Sequence, residues 1–126
     1  MEPDQRSEVY PHAFRRDLIC FRCAEVAASL TVDSESGGRG MTLTRTGFLA
    51  RKASYLSEPA AMAIFDAEGP ELLRWLPQTF WGFFCHECEA PYCTSCWTLF
   101  PPASADGEYL GRAGRCPIGH ESLVDS

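Results

Sequence analysis

Seven cysteines and one histidine of this chain fall into four close pairs: Cys20/Cys23, Cys85/Cys88, Cys93/Cys96 and Cys116/His120. Thiolate sulfur and imidazole nitrogen are the ligands a tetrahedral zinc ion takes, and the tight turn of Cys-x-x-Cys points both sulfurs the same way. Two pairs complete one closed site, so eight ligands predict two structural Zn2+ ions. One is held by four thiolates, the other by three thiolates and an imidazole. His120 accounts for the odd number of thiols, and no cysteine is left over. Other thiol chemistry fits less well. A disulfide framework prefers an even count and an oxidising compartment. A thioredoxin-like redox pair needs one Cys-x-x-Cys at the start of a helix in a βαβ setting, which this pattern lacks. An iron–sulfur centre is a minor alternative. His86, between two ligand cysteines, and His12, near the N-terminus, are not needed for coordination.

The segments between the pairs must position them. Residues 1–16 are polar and charged and read as a flexible N-terminal arm, with no apolar run of the kind a secretory signal needs. Residues 17–122 then form a single domain in which 24–84 is an insertion. "SLTVD" (Ser29 to Asp33) and "MTLTRTGF" (Met41 to Phe48) alternate with the strand period and predict a β-hairpin closed by the glycine-rich stretch 34–40. Ser57-Glu58-Pro59 reads as an N-cap and first turn of a helix running to Gly69. "PELLRWL" predicts a second short helix, and "TFWGFF" (Thr79 to Phe84) an aromatic strand whose Phe80, Trp81, Phe83 and Phe84 serve the core. Trp97 to Phe100 are expected to complete a helical turn or two before Pro101-Pro102. Residues 103–114 read as a loop or weak hairpin, and "ESLVDS" as a trailing end.

The formal charge is −6, and Lys52 is the only lysine beside ten arginines. Turning seven thiols into thiolates and adding two divalent ions moves this to −9. Such acidity opposes phosphate-backbone binding, which needs a basic patch, and docking on anionic lipid. No stretch of about eighteen apolar residues suggests a membrane span. Together with the thiol usage this gives the expectation of a reducing, cytoplasmic setting.

The pairing of the pairs has two solutions. Consecutive pairing puts Cys20, Cys23, Cys85 and Cys88 on one ion. Interleaved pairing puts Cys20, Cys23, Cys93 and Cys96 on one ion and Cys85, Cys88, Cys116 and His120 on the other. "CHECEAPYCTSC" resembles the centre of FYVE-type fingers, where two pairs four residues apart belong to different zincs. "CFRCAE" and "CPIGH" resemble the first and last pairs of RING fingers. The resemblance covers the ligand pairs and their neighbours, and it implies the interleaved cross-brace. The implied fold is a small α+β zinc-stabilised domain, a two-zinc cross-brace with an inserted β-hairpin and short helices. Departures accompany the resemblance. The 61 residues between Cys23 and Cys85 exceed the usual spacing, "WGFFCHEC" lacks the basic motif of lipid-binding FYVE domains, and Glu121 stands where RING ligases often carry a cation.

Closed four-ligand zinc has no free position for water, so the ions act as staples and not as catalysts. No Ser/His/Asp set, carboxylate pair or phosphate loop stands out, so no catalytic residue is assigned. In RING fingers an apolar groove between the zinc loops receives a ubiquitin-conjugating enzyme. By that resemblance the partner-binding positions here are Phe21, Arg22, Trp97, Pro117 and Ile118. Three functions follow: a RING-like ubiquitin-ligase or ligase-adaptor module, a zinc-stabilised interaction or assembly subunit for which an oligomer is one expected form, and a nucleic-acid finger disfavoured by charge.

Overall fold

A computed structural model describes residues 13–34 and 40–125. The glycine-rich stretch 35–39, His12 and most of the expected arm lie outside the described residues. The chain is mostly β. Strands β1 (Phe14–Ile19), β2 (Val26–Ser34), β3 (Met41–Thr46) and β4 (Lys52–Leu56) form an antiparallel meander in that order. The expected hairpin is its middle, with Val32 opposite Leu43. The flanking strands were not anticipated. The last three residues of the supposed arm, Phe14 to Arg16, are the first half of β1.

Helix α1 (Glu58–Asp66) follows, capped by Ser57, whose hydroxyl accepts from the Ala60 amide at 3.3 Å. It ends before the predicted Gly69, at the Ala67 cap. Arg16 of β1 ties this end to the sheet by donating to the carbonyls of Ile64 and Ala67 at 2.7 and 2.6 Å. A cation there also complements the negative end of the helix.

Two 3-10 helices, Gly69–Trp75 and Gln78–Phe83, lead to the cysteines. The second replaces the predicted aromatic strand. Residues three apart share a face in a 3-10 helix, and Phe80 and Phe83 are the buried pair. The Trp81 indole fixes the turn by donating to the Leu76 carbonyl at 3.1 Å.

Beyond these, β5 (Phe84–Cys85) pairs with β6 (Ala90–Pro91), and a second sheet runs β10 (Glu121–Asp125), β9 (Glu108–Arg115), β7 (Thr98–Leu99), with β8 (Ala103–Ala105) also pairing β9. The helical turn expected at 97–100 is instead β7, because Thr98 and Leu99 find ladder partners in Arg115 and Gly114. The supposed trailing end is β10, and Val124 within it is core. The α+β expectation is therefore corrected to a mostly-β fold with few short helices.

One hydrophobic cluster joins the meander, α1, both 3-10 helices and the cysteine loops. Fully buried Arg45 lies at its centre on the inward face of β3, in line with Met41 and Leu43. Its guanidinium donates to the carbonyls of Phe80 (3.1 Å), Phe48 (2.7 Å) and Ala50 (2.6 Å). Its charge interacts with Asp125 of β10, which pairs with Lys52 at 3.0 Å and accepts from the Tyr109 hydroxyl at 2.6 Å. Both terminal nitrogens of the guanidinium are thus engaged while Nε has no hydrogen-bond partner among the described residues, and the three carbonyls together with Asp125 offset the cost of burying the charge.

Candidate metal centre

Each ligand pair sits in a turn or loop that a strand delivers. Cys20 directly follows β1 and Cys23 lies in the turn to β2. Cys85 ends β5 and Cys88 lies in the turn to β6. Cys93 and Cys96 occupy the β6–β7 connection, while Cys116 and His120 span the β9–β10 turn.

Three of the four turns share one local recipe, a left-handed residue next to the second ligand. Ala24, just after Cys23, and Glu89, just after Cys88, have left-handed φ of 68° and 55°. Gly119 plays that part before His120, with φ 114°. Such a residue turns the chain back beside the second ligand, at a modest cost for a side chain with a Cβ. The Ala24 amide donates to the Cys20 carbonyl at 3.1 Å, and the Gly119 amide to the Cys116 carbonyl at 2.9 Å.

The fold brings the eight side chains into two groups that could each hold a metal ion. Cys20, Cys23, Cys93 and Cys96 form one; Cys85, Cys88, Cys116 and His120 form the other, with the ligand atoms of each group within 4.8 Å of one another. The grouping is interleaved, so the consecutive alternative is not the one the chain adopts. In the first group Cys20 and Cys96 sulfurs are 3.6 Å apart and those of Cys23 and Cys93 3.5 Å. In the second, His120 Nδ1 lies 3.6, 3.4 and 3.4 Å from the sulfurs of Cys85, Cys88 and Cys116, and Cys88 is 3.8 Å from Cys116. None of these sulfur pairs is near the disulfide distance of about 2.05 Å.

Surrounding groups orient these ligands. The His120 Nε2 faces the Glu87 carboxylate at 3.6 Å, which leaves Nδ1 for the sulfurs. The Cys88 and His120 amides point at the sulfurs of Cys85 (3.4 Å) and Cys116 (3.3 Å). Buried Tyr92, unremarked in the sequence, lies against the second group. Its hydroxyl is held far above its ordinary range, first by a hydrogen bond to Cys88 and then by burial.

Charge is divided unevenly within each group. Burial raises the Cys20 thiol, but main-chain hydrogen bonds at Cys93, Cys23 and Arg22 more than offset it and bring it down to about 6. Cys116 behaves alike: burial opposes, the His120, Ile118 and Gly119 main chain prevails, and the thiol falls to about 6. Burial pushes Cys85 up to about 11 and Cys96 up to about 12. One sulfur per group is thus a ready anion, stabilised by its neighbours.

The expected partner-binding residues separate. Phe21 (75% exposed), Arg22 and Ile118 (69% exposed) stand at the tips of the first and last pairs, and Pro117 is half-buried. Trp97 is not on this surface. It is 4% exposed, donates its indole N–H to the Tyr92 carbonyl at 3.2 Å and packs edge-on against Phe48 and Tyr92. An indole beside a ligand closes the core over the site here. Phe80, Phe83 and Phe84 are core as expected, with Trp81 partly so. Glu121 pairs with Arg115 at 2.8 Å, its opposite neighbour on β9. His86 is exposed and packs against the Trp81 and Phe84 rings.

Among the described residues no helix is long and apolar enough to cross a membrane. Residues 12–126 match the model of a family described as "Domain of unknown function (DUF8328)". No curated protein and no solved structure matches the chain.

Proposed function

The chain belongs to the DUF8328 domain family, and from that premise we propose that it is a zinc-dependent protein-interaction module of RING/FYVE-like cross-brace type, built on two structural zinc ions. One observation carries the reading. A zinc tetrahedron with metal–sulfur bonds of about 2.3 Å and a metal–nitrogen bond of about 2.05 Å has sulfur–sulfur edges of about 3.8 Å and sulfur–nitrogen edges of about 3.6 Å. Six of the twelve ligand–ligand distances in the two groups run from 3.5 to 3.8 Å between sulfurs and from 3.4 to 3.6 Å to nitrogen, and all twelve lie within 4.8 Å. All-sulfur and sulfur-plus-imidazole sets are those of closed structural zinc, which leaves the ion no position for water. The ions therefore contribute folding free energy and rigidity, and the protein acts through the surface they hold.

Native mass spectrometry of the purified chain is expected to show two zinc ions. The cobalt-substituted form is expected to show the intense visible bands of tetrahedral thiolate coordination. Fewer than two ions, or an octahedral cobalt spectrum, sinks the proposal.

A sharper reading, docking of a ubiquitin-conjugating enzyme by a ligase or ligase adaptor, is favoured by the exposed apolar tips at Phe21 and Ile118. The loss of Trp97 to the core and the pairing of Glu121 with Arg115 weigh toward an adaptor without transfer activity. Binding of a conjugating enzyme that depends on zinc and is lost in Phe21→Ala and Ile118→Ala supports docking. Binding unchanged in both variants rejects it.

A further inference from the structure

Of the seven cysteines, Cys23 alone is exposed. Cys20, Cys85, Cys93 and Cys116 are buried, while Cys88 and Cys96 are half-buried. The whole turn around Cys23 is open, since every residue from Phe21 to Val26 is exposed. In the other three turns the second ligand, Cys88, Cys96 or His120, is half-buried. Directly behind the Cys23 sulfur, at 3.5 Å, lies that of Cys93, which is 6% exposed. An open sulfur backed by a sheltered one is the arrangement in which the first thiol meets an oxidant and the second resolves the product.

The two ligand groups differ in charge as well as in access. Four thiolates outweigh a divalent ion by two charges, whereas three thiolates and a neutral imidazole outweigh it by one. Coordination keeps each sulfur deprotonated, and the thiolate is the nucleophilic form. The more electron-rich group is therefore also the one with an exposed sulfur. In the second group the most open sulfur, that of Cys88, is half-buried and hydrogen-bonded to the Tyr92 hydroxyl. The exposed charges flanking Cys23 are one cation, Arg22, and one anion, Glu25. They leave little local field to select a charged reagent, so a small neutral oxidant suits this turn.

We propose that Cys23 is an oxidation site, at which hydrogen peroxide opens the four-cysteine cage by joining Cys23 to Cys93. The Cys23 thiolate attacks one peroxide oxygen, the O–O bond breaks, and the departing hydroxide takes a proton to become water. The Cys93 thiolate then attacks the sulfur of the Cys23 sulfenic acid. The S–O bond breaks, and a second hydroxide leaves and is protonated to water. Together the two sulfurs give up two electrons, and one peroxide becomes two waters. The sulfurs close from 3.5 Å to about 2.05 Å. Disulfide sulfurs are no longer thiolate ligands, so the cage keeps only Cys20 and Cys96 and releases its ion. The exposed tip at Phe21 and Arg22 then lies between an unliganded Cys20 and the new disulfide, and the surface it presents changes shape. This gives the interaction module a peroxide-dependent control and rests on that reading.

The test exposes the full chain, loaded with two zinc ions, to increasing hydrogen peroxide. Remaining thiols are alkylated under denaturing conditions, and the cysteines are mapped by mass spectrometry. The first disulfide is expected to be Cys23–Cys93, forming about tenfold faster than any oxidation of Cys85, Cys88 or Cys116. Zinc release, followed with a metal-sensitive dye, should rise in step with that disulfide. A second measurement needs no oxidant: brief treatment of the folded, zinc-loaded chain with N-ethylmaleimide should label Cys23 before any other cysteine. A first disulfide lacking Cys23 or Cys93, earlier oxidation in the second group, or first labelling at another cysteine overturns the inference. A starting protein that does not hold two ions instead strikes the metal reading beneath it.

Discussion

At the scale of single residues, the two sulfurs already poised as anions set how the sites load. A thiol depressed to about 6 in the fold, against an ordinary value of about 8.5, contributes stability that is present above the ordinary value and lost as pH falls through about 6. Cys85 and Cys96, raised by burial to about 11 and about 12, act in the opposite sense and weaken the metal-free fold as pH climbs from about 8.5 toward those values. Filling both sites at pH 7.5 should therefore release fewer than the seven protons that seven neutral thiols would give. The number should grow as pH falls through about 6. Calorimetry in buffers of different ionisation enthalpy counts these protons, and a release of seven at pH 7.5 contradicts the assignment. The ligand types themselves were plain in the sequence, since paired spacing is visible without any fold. Arg45 was not. Alternation in "MTLTRTGF" does put it on the face of Met41 and Leu43. What makes an arginine acceptable there is the convergence of the Phe80, Phe48 and Ala50 carbonyls, two of which belong to an irregular loop. No one-dimensional pattern carries that information.

At the scale of elements, the second 3-10 helix and β10 depend on each other through Gly82. A Cβ at Gly82 would overlap the Val124 carbonyl, so helix and strand meet main chain to main chain. Gly82→Ala is expected to force β10 away, exposing Val124 and separating Asp125 from Lys52. The expected loss is on the order of 3 kcal/mol, in the range of overpacking plus a broken buried pair. Urea unfolding measures it, and a change below about 0.5 kcal/mol shows that the contact yields freely. This contact also explains two misread segments. Aromatic content made Thr79–Phe84 look like a strand, whereas burial follows Phe80 and Phe83 three residues apart. The final residues looked unstructured because a short polar-flanked strand earns its place only from a partner, here β9 on one side and Gly82 behind. The helix at 58–66 was legible because Ser57 and Pro59 are local signals that need no tertiary help.

At the scale of the whole molecule, both ligand groups adjoin one core: Cys20, Cys85, Cys93 and Cys116 all belong to the same buried cluster as Phe48, Phe83 and Trp97. Only Glu89 to Tyr92 separate Cys88 of one group from Cys93 of the other. Losing one ion should therefore loosen both halves. Chelator titration followed by circular dichroism is expected to give one transition, and Cys116→Ser to lower the melting temperature and weaken metal retention by the intact four-cysteine group. Two separate transitions with an undisturbed first site in that variant argue against a shared core. The resemblance to cross-brace fingers reached the ligand grouping but not the meander or the second sheet, because those are set by pairing across segments in which no ligand lies. The alternation of ligand pairs along the chain has a mechanical outcome. A backbone cut anywhere between Cys23 and Cys85 yields two pieces, each holding half of the four-cysteine cage. With an ion in that cage the severed protein travels as one body, and a chelator is what lets the fragments part.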